Sequence, residues 1–396
     1  MKLIERRQYL DKLINVLGTP DIKVITGVRR SGKSKLLEAF RAYIESENPN
    51  CNIIQINFNL PDYDDLLTYR ALYDYVNAHY VAGKENFVFI DEVQMCEDFE
   101  KAVNGLHASE KYDIYITGSN AFLLSSDLAT LFGGRVFEIK VFPFSFKEYL
   151  EYYPSNDIDS SFDKYFKTGG MSGSYLYRNE SDSLTYIESI VKTTIIRDIV
   201  DKYHIENEDL LKMIYEFLMD NIGNQTSIRN IANKLTSSTY KTNDKTCGAY
   251  IDYLCKSFLF YPIQRYNIKG NKYLESDKKY YLSDLSFRRA ILGNRYMDRG
   301  HLYENIVAIE LLRREYEVYV GKLYEKEVDF VAIKNGRKTY LQVCDDLSNP
   351  ETFKREVSPL KAINDSYPKL VIARTKAETY DYEGIEIIDI AKWLNE

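Results

Sequence analysis

The chain has 396 residues, of which 45% are hydrophobic and 28% charged, and its net charge is −7. That length exceeds one ordinary core and predicts two or three folded domains. No apolar run nears the roughly 18 residues of a membrane span, and the acidic total excludes a protein coated over its whole surface by nucleic acid.

The first residues, MKLIERR, lack the apolar core of a signal peptide. Five cysteines form no C-x-x-C pair and the four histidines are scattered. Reduced thiols and a cytoplasmic location are therefore expected, and a structural zinc is not.

Short β-rich runs at 23–26, 52–57, 87–90, 114–117 and 136–140 alternate with helical stretches such as 33–44 and 66–79. This alternation predicts an α/β domain over 1–143, a mostly parallel sheet with helices on both faces. The run at 52–57 reads as the extra strand that one branch of P-loop proteins places between its phosphate strand and its acidic strand.

Residues Gly27 to Ser34 spell G-V-R-R-S-G-K-S, directly after the first strand and opening a helix. Such a loop wraps phosphates with backbone N–H groups, and the helix adds its positive end. Gly27, Arg30, Ser31, Gly32, Lys33, Ser34 and Lys35 are the expected contacts to ATP, although Arg29 and Arg30 also read as solvated cations. Lys33 should reach the β- and γ-phosphates, and Ser34 should bind Mg²⁺. Asp91, closing the 87–90 strand, would hold the same ion through water, and Glu92 would polarise the attacking water. A kinase shares this loop, but paired Asp91 and Glu92 favour water as the acceptor.

Ser119 or Asn120, after the 114–117 strand, is placed to sense the γ-phosphate, with helix capping as the structural alternative. Arg135, on the Gly133-Gly134 turn, is placed to touch phosphate in its own subunit or a neighbour's, against a surface salt bridge.

Residues 144–204 read as a helical lid broken at Gly169-Gly170. Three helical segments and two β-rich runs, 258–264 and 279–283, then give 205–299 the layout of a winged helix. Its second helix would be 228–235 and its recognition helix 246–257. Residues 221–300 hold 14 Lys/Arg and 6 Asp/Glu, a balance of +8, which leaves −15 for the remainder. Lys241, Lys245, Arg265, Lys269, Lys272, Lys278 and Lys279 gather on or near the recognition helix and wing, predicting salt-sensitive DNA binding. A packing module with a solvated basic face is the alternative. Residues 300–396 return to α/β, with an Asn335-Gly336 hairpin turn.

These segments together resemble a known family. VITGVRRSGKSKLL from Val24, FIDEVQ around Asp91, TGSNAFLLSS from Thr117, GGR ending at Arg135 and FSFKEYL from Phe144 are its N-terminal motifs. YYLSDL from Tyr280, LYENIVAIELL from Leu302 and EVDFV from Glu327 extend the match over nearly the whole chain. It is similar to prokaryotic proteins that join an AAA-type ATPase to a C-terminal domain of unknown function. The resemblance implies an ATPase of the AAA/STAND-like branch, a winged helix and a C-terminal PD-(D/E)xK nuclease-like (restriction-endonuclease-like) fold. The chain departs from the family at Ser172, where proline usually follows the methionine.

In nucleases of that fold, carboxylates hold Mg²⁺ and a lysine positions or activates water. The matching positions are Glu304, Asp329, Gln342 and Cys344. A cysteine cannot supply the ammonium, so the motif is degenerate, and Lys338 near the start of the same strand is the substitute the sequence offers. The expected function is an ATPase coupling turnover to DNA as a homo-oligomer. A nucleotide-dependent assembly switch is the rival and an ATP-gated nuclease the third reading.

Overall fold

The computed structural model describes residues 4–118, 131–238, 242–293 and 298–396. The chain divides into two compact units, Met1–Val141 with Lys256–Phe258, and Phe142–Cys255 with Leu259–Glu396.

In the first unit, α1 (Arg7–Asn15) leads to β1 (Ile22–Thr26), α2 (Lys33–Glu47), β2 (Asn52–Asn57), α3 (Tyr69–Ala78), β3 (Asn86–Asp91), α4 (Phe99–Ala108), β4 (Asp113–Thr117) and β5 (Val136–Lys140). The five strands form a parallel sheet in the order β2-β3-β4-β1-β5. β1 and β3 are buried along their whole length, as a sheet covered on both faces requires. Alternate residues enter opposite cores: Val24, Ile90 and Ile116 on one face, Ile25, Phe89 and Tyr115 on the other.

The strand order across the sheet differs from the expected one. The strand lying between β1 and β3 is β4, and the 52–57 run forms the edge strand β2. Each crossover returns the chain to a chosen side of the sheet, so order along the chain does not give order across it. The helix expected from 66 begins later, at Tyr69, where Thr68 Oγ1 accepts from Ala71 N at 3.4 Å.

The second unit opens with α5 (Phe146–Tyr152), started by a capping box between Ser145 and Glu148. α6 (Ile158–Thr168), a 3₁₀ turn (Ser172–Leu176) and α7 (Glu180–Ile195) follow. The Gly169-Gly170 break exists because Asp284 lies against it. A Cβ on Gly169 would sit 2.1 Å from Asp284 Oδ1, and Gly170 N donates to Asp284 Oδ2 at 2.5 Å. Next come α8 (Glu208–Asp220), α9 (Ile228–Ser238), α10 (Asp244–Lys256), β6 (Phe260–Asn267), β7 (Lys272–Leu282), α11 (Leu285–Leu292) and α12 (Arg299–Arg313). The chain ends with β8 (Glu317–Leu323), β9 (Lys326–Lys334), β10 (Arg337–Cys344), α13 (Pro350–Lys361), β11 (Lys369–Ala373), β12 (Tyr380–Tyr382), β13 (Ile385–Asp389) and α14 (Ile390–Asn395). Asn335 and Gly336 both take positive φ, 51° and 74°, in the β9–β10 turn.

These strands form one mixed sheet in the order β12-β13-β11-β10-β9-β8-β6-β7. β6 runs parallel to β8, from Gln264 opposite Tyr319 to Asn267 opposite Lys322. The hairpin expected as a wing is therefore built into the same sheet as the C-terminal strands, across position 300. Among the described residues no helix is long and apolar enough to cross a membrane.

Candidate nucleotide site

The loop at 27–32 carries β1 into α2. Gly27 has φ 140°, and a Cβ there would lie 2.1 Å from the Val141 carbonyl oxygen, so a side chain is excluded. Gly32, at φ 100°, is the N-cap residue of α2. Lys33 is buried, and its ammonium donates to the carbonyls of Gly27 at 3.0 Å and Val28 at 3.1 Å. Arg6 Nη1 donates to the Ser31 carbonyl at 2.7 Å and ties the loop to the segment before α1. The Ser31 hydroxyl is buried and has no hydrogen-bond partner among the described residues.

Asp91 ends β3 and is 5% exposed. Ser34 Oγ donates to Asp91 Oδ1 at 3.1 Å, and Thr117 Oγ1, at the end of β4, donates to the same oxygen. Burial raises the pKa of the Asp91 carboxyl, and the two hydroxyl bonds work in the opposite direction. A serine hydroxyl and a carboxylate beside a helix N-terminus form a hard oxygen donor set that fits Mg²⁺. Glu92 turns at φ 55°, its N–H donates to Thr117 Oγ1 at 3.1 Å, and its side chain accepts from Gln94 Nε2. Thr117 thus orients both acidic residues, a role the sequence signalled only by closing the neighbouring strand.

Lys35 is exposed and pairs with Glu38 at 2.6 Å. Arg30 is exposed at φ 62°. The Arg135 carbonyl accepts from Ile22 N at 2.9 Å, at the end of β1 opposite the loop. Five strand residues separate them, about 16 Å, so Arg135 is not brought to the loop of its own unit. Ser119 and Asn120 lie outside the described residues.

The second unit contains a cleft of about 660 Å³ lined by Glu304, Asp329, Gln342 and Cys344. The four matched positions are brought together. The lysine beside them is Lys279 of β7, which sequence reading had assigned to a basic surface. It is 3% exposed and pairs with Glu304 Oε1 at 2.9 Å and Glu327 Oε1 at 2.8 Å. Burial opposes its charge, but Glu304, Asp329 and Glu327 together raise its pKa. Burial likewise works against ionised Glu304, yet Lys279 and hydrogen bonds from His301, Lys279 and Tyr281 hold its pKa below the ordinary value. Asp329 is pushed well up by burial and by the Glu304 charge beside it. Lys338, the substitute named from sequence, instead donates to Asn271 Oδ1 at 2.8 Å.

The residues of this cleft do not fit the divalent cation implied by the nuclease-like resemblance. Glu304 is neutralised by an ammonium, Asp329 Oδ2 accepts from Val343 N at 2.8 Å, and Gln342 is spent on Asp329 N and Glu356. Burial keeps the Cys344 thiol protonated. Among the described residues no cluster of three or more His, Cys, Asp or Glu is arranged to hold a metal.

Residues 19–150 match the family described as an AAA domain, and residues 159–298 a domain of unknown function, DUF8612. An uncharacterized protein of Haemophilus influenzae is 38% identical over 99% of this chain and 98% of its own length. The chain belongs to that protein's family. An uncharacterized protein of Methanocaldococcus jannaschii is 28% identical over 98% of this chain and 89% of its own. Among solved structures, the ORC1 protein of Aeropyrum pernix in complex with DNA covers 74% of this chain and 94% of its own. Its identity is 13% and its TM-score 0.31, a likeness too slight to carry an argument. The first unit of this family member is thus an AAA-type P-loop ATPase domain.

Proposed function

We propose that the chain binds Mg²⁺–ATP in the first unit, hydrolyses it, and couples turnover to DNA. The observation that carries this is the constellation of Lys33, Ser34, Asp91, Glu92 and Thr117. Lys33 exchanges its loop carbonyls for the β- and γ-phosphates. Ser34, and Asp91 through water, would hold Mg²⁺, which would supply neutralisation of phosphate charge. Glu92 accepts a proton from water as the water oxygen bonds to the γ-phosphorus, the bond to the β-bridging oxygen breaks, and ADP leaves. Thr117 keeps Asp91 and Glu92 in register throughout.

The DNA half of the reading draws on α8, α9, α10 and the hairpin, with Thr226 N donating to Lys278 O at 3.0 Å between the first two helices and β7. That order supports the reading of a winged helix, a helix–turn–helix followed by a hairpin. Lys245, Lys269 and Lys272 are exposed there, Lys279 is not, and Lys241 lies outside the described residues. Phosphate contacts by such lysines release counterions and bind without sequence preference.

The test is phosphate release by the whole chain with and without duplex, single-stranded and branched DNA. Glu92→Gln is expected to retain ATP with turnover down about 10²-fold or more, whereas Lys33→Ala loses ATP binding itself. Normal turnover in both variants overturns the site. Turnover indifferent to every DNA, with nucleotide-dependent assembly, replaces the DNA reading with an assembly switch.

A further inference from the structure

We propose that a second cleft, bounded by α5, α6, α11 and the start of α7, binds a nucleotide unit, a base with its phosphate, independently of the P-loop. This cleft measures about 590 Å³, within the range of small-molecule sites. Its position overlaps the segment matched by DUF8612 and lies wholly within the second unit.

One wall is aromatic. The rings of Tyr149, Tyr153 and Tyr175 pack with centroids 5.2 to 5.6 Å apart. The inner ring, Tyr149, is buried, while Tyr153 is 41% exposed and Tyr177, at the same mouth, 43%. Rings presented in this way stack on any base, because every base has a π-face. Burial raises the pKa of Tyr153 and Tyr175, so both phenols stay neutral and do not repel phosphate.

The rim is cationic. Lys164, Lys167, Arg178 and Arg289 line the cleft against one carboxylate, Glu180, in a chain whose total is −7. Glu180 is already paired with Arg289, whose Nη1 also donates to the Lys167 carbonyl at 3.2 Å. The side chains of Lys164, Lys167 and Arg178 have no carboxylate partner among the described residues. Three exposed cations beside partly exposed aromatic rings match a planar, phosphate-bearing ligand in ring chemistry and charge.

The interior supplies a third, separate observation. Ser174 is among the residues that line the cleft and is only 2% exposed, and its buried Oγ has no hydrogen-bond partner among the described residues. Buried hydroxyls are normally satisfied, and a base edge or sugar hydroxyl entering the cleft supplies the missing bond.

A nucleotide unit can arrive free or as part of a strand, and the experiment separates the two. The full-length chain carrying Lys33→Ala, which silences the P-loop, is titrated with AMP by equilibrium dialysis and with a fluorescein-labelled oligothymidylate by anisotropy. Binding of AMP alone identifies a free nucleotide, and binding of the oligonucleotide identifies a strand. In either case Tyr153→Ala and Arg178→Glu, both at exposed positions, weaken binding about tenfold, and Tyr153→Phe restores it. The proposal is overturned if neither probe binds, if binding ignores these substitutions, or if polyglutamate binds as tightly through the same residues. Because the P-loop is silenced, failure here leaves the ATPase reading intact.

Discussion

At the residue scale, Thr117 is the most informative side chain of the nucleotide site. It donates to Asp91 and accepts from the Glu92 backbone, so it sets the angle between the proposed ion holder and the proposed base. Thr117→Val keeps the volume and removes both bonds. Each is worth about 1 kcal/mol, so kcat should fall about thirtyfold with ATP affinity nearly unchanged; an unaltered kcat in a phosphate-release assay removes the role. Gly27 gives a second prediction. Gly27→Ala forces a methyl group into the Val141 carbonyl at a φ of 140°, and urea unfolding should report a loss of about 2 kcal/mol or more in the first unit. The grouping of Lys33, Ser34 and Asp91 was legible because it is carried by spacing within a strand–loop–helix and a second strand end. Thr117 was visible as a residue but not as an organiser, since its bonds run sideways between neighbouring strands. Arg135 shows the reverse: its glycine turn drew attention, and the parallel pairing of β1 with β5 puts it at the end of the sheet away from the loop of its own unit.

At the scale of elements, the strands of the first unit were readable to within a residue or so, because β-rich runs and helical periodicity are local properties. Their lateral order was not, as the exchange of β2 and β4 shows. The same limit hid Lys279. A lysine reaching Glu304 from β7 depends on which strand lies beside which, and the sequence offered Lys338 because it lies near the start of the strand that ends in Cys344. The buried Lys279–Glu304 pair makes a pH-dependent prediction. Glu304 has its pKa held below the ordinary 4.5, so its stabilisation is fully present above that value and is lost as pH falls beneath it. Lys279 is raised above 10.5, so its contribution is fully present below that value and is lost as pH climbs past it. Lys279→Met should therefore destabilise the second unit by about 3 kcal/mol at neutral pH, with the gap from the parent narrowing well below 4.5. Urea titrations of both chains at neutral and acid pH measure it, and a constant gap would show that the pair is not what the lysine contributes.

At the scale of the whole molecule, charge is partitioned more sharply than the total suggests, with residues 221–300 at +8 and the remainder at −15. DNA affinity of the intact chain should fall linearly in log–log salt plots, and Lys269→Glu with Lys272→Glu should reduce the slope by about two contacts. An affinity independent of salt would exclude this surface. The measurement needs the intact chain, because β6 hydrogen-bonds to β8 and Lys279 to Glu304, both beyond position 300. Division at 299/300 followed the return to an α/β pattern, yet the sheet is continuous across it. That continuity has a consequence for synthesis. When residues 260–282 leave the ribosome, the hairpin can close, but the edge of β6 that β8 will occupy has no partner yet. Elongation proceeds at roughly 5–20 residues per second, so the tyrosine-bearing strand Phe260–Asn267 waits for seconds until Glu317–Leu323 follows. A message truncated between codons 283 and 316 would leave that edge open for good, and its product would be prone to pair with other chains rather than fold.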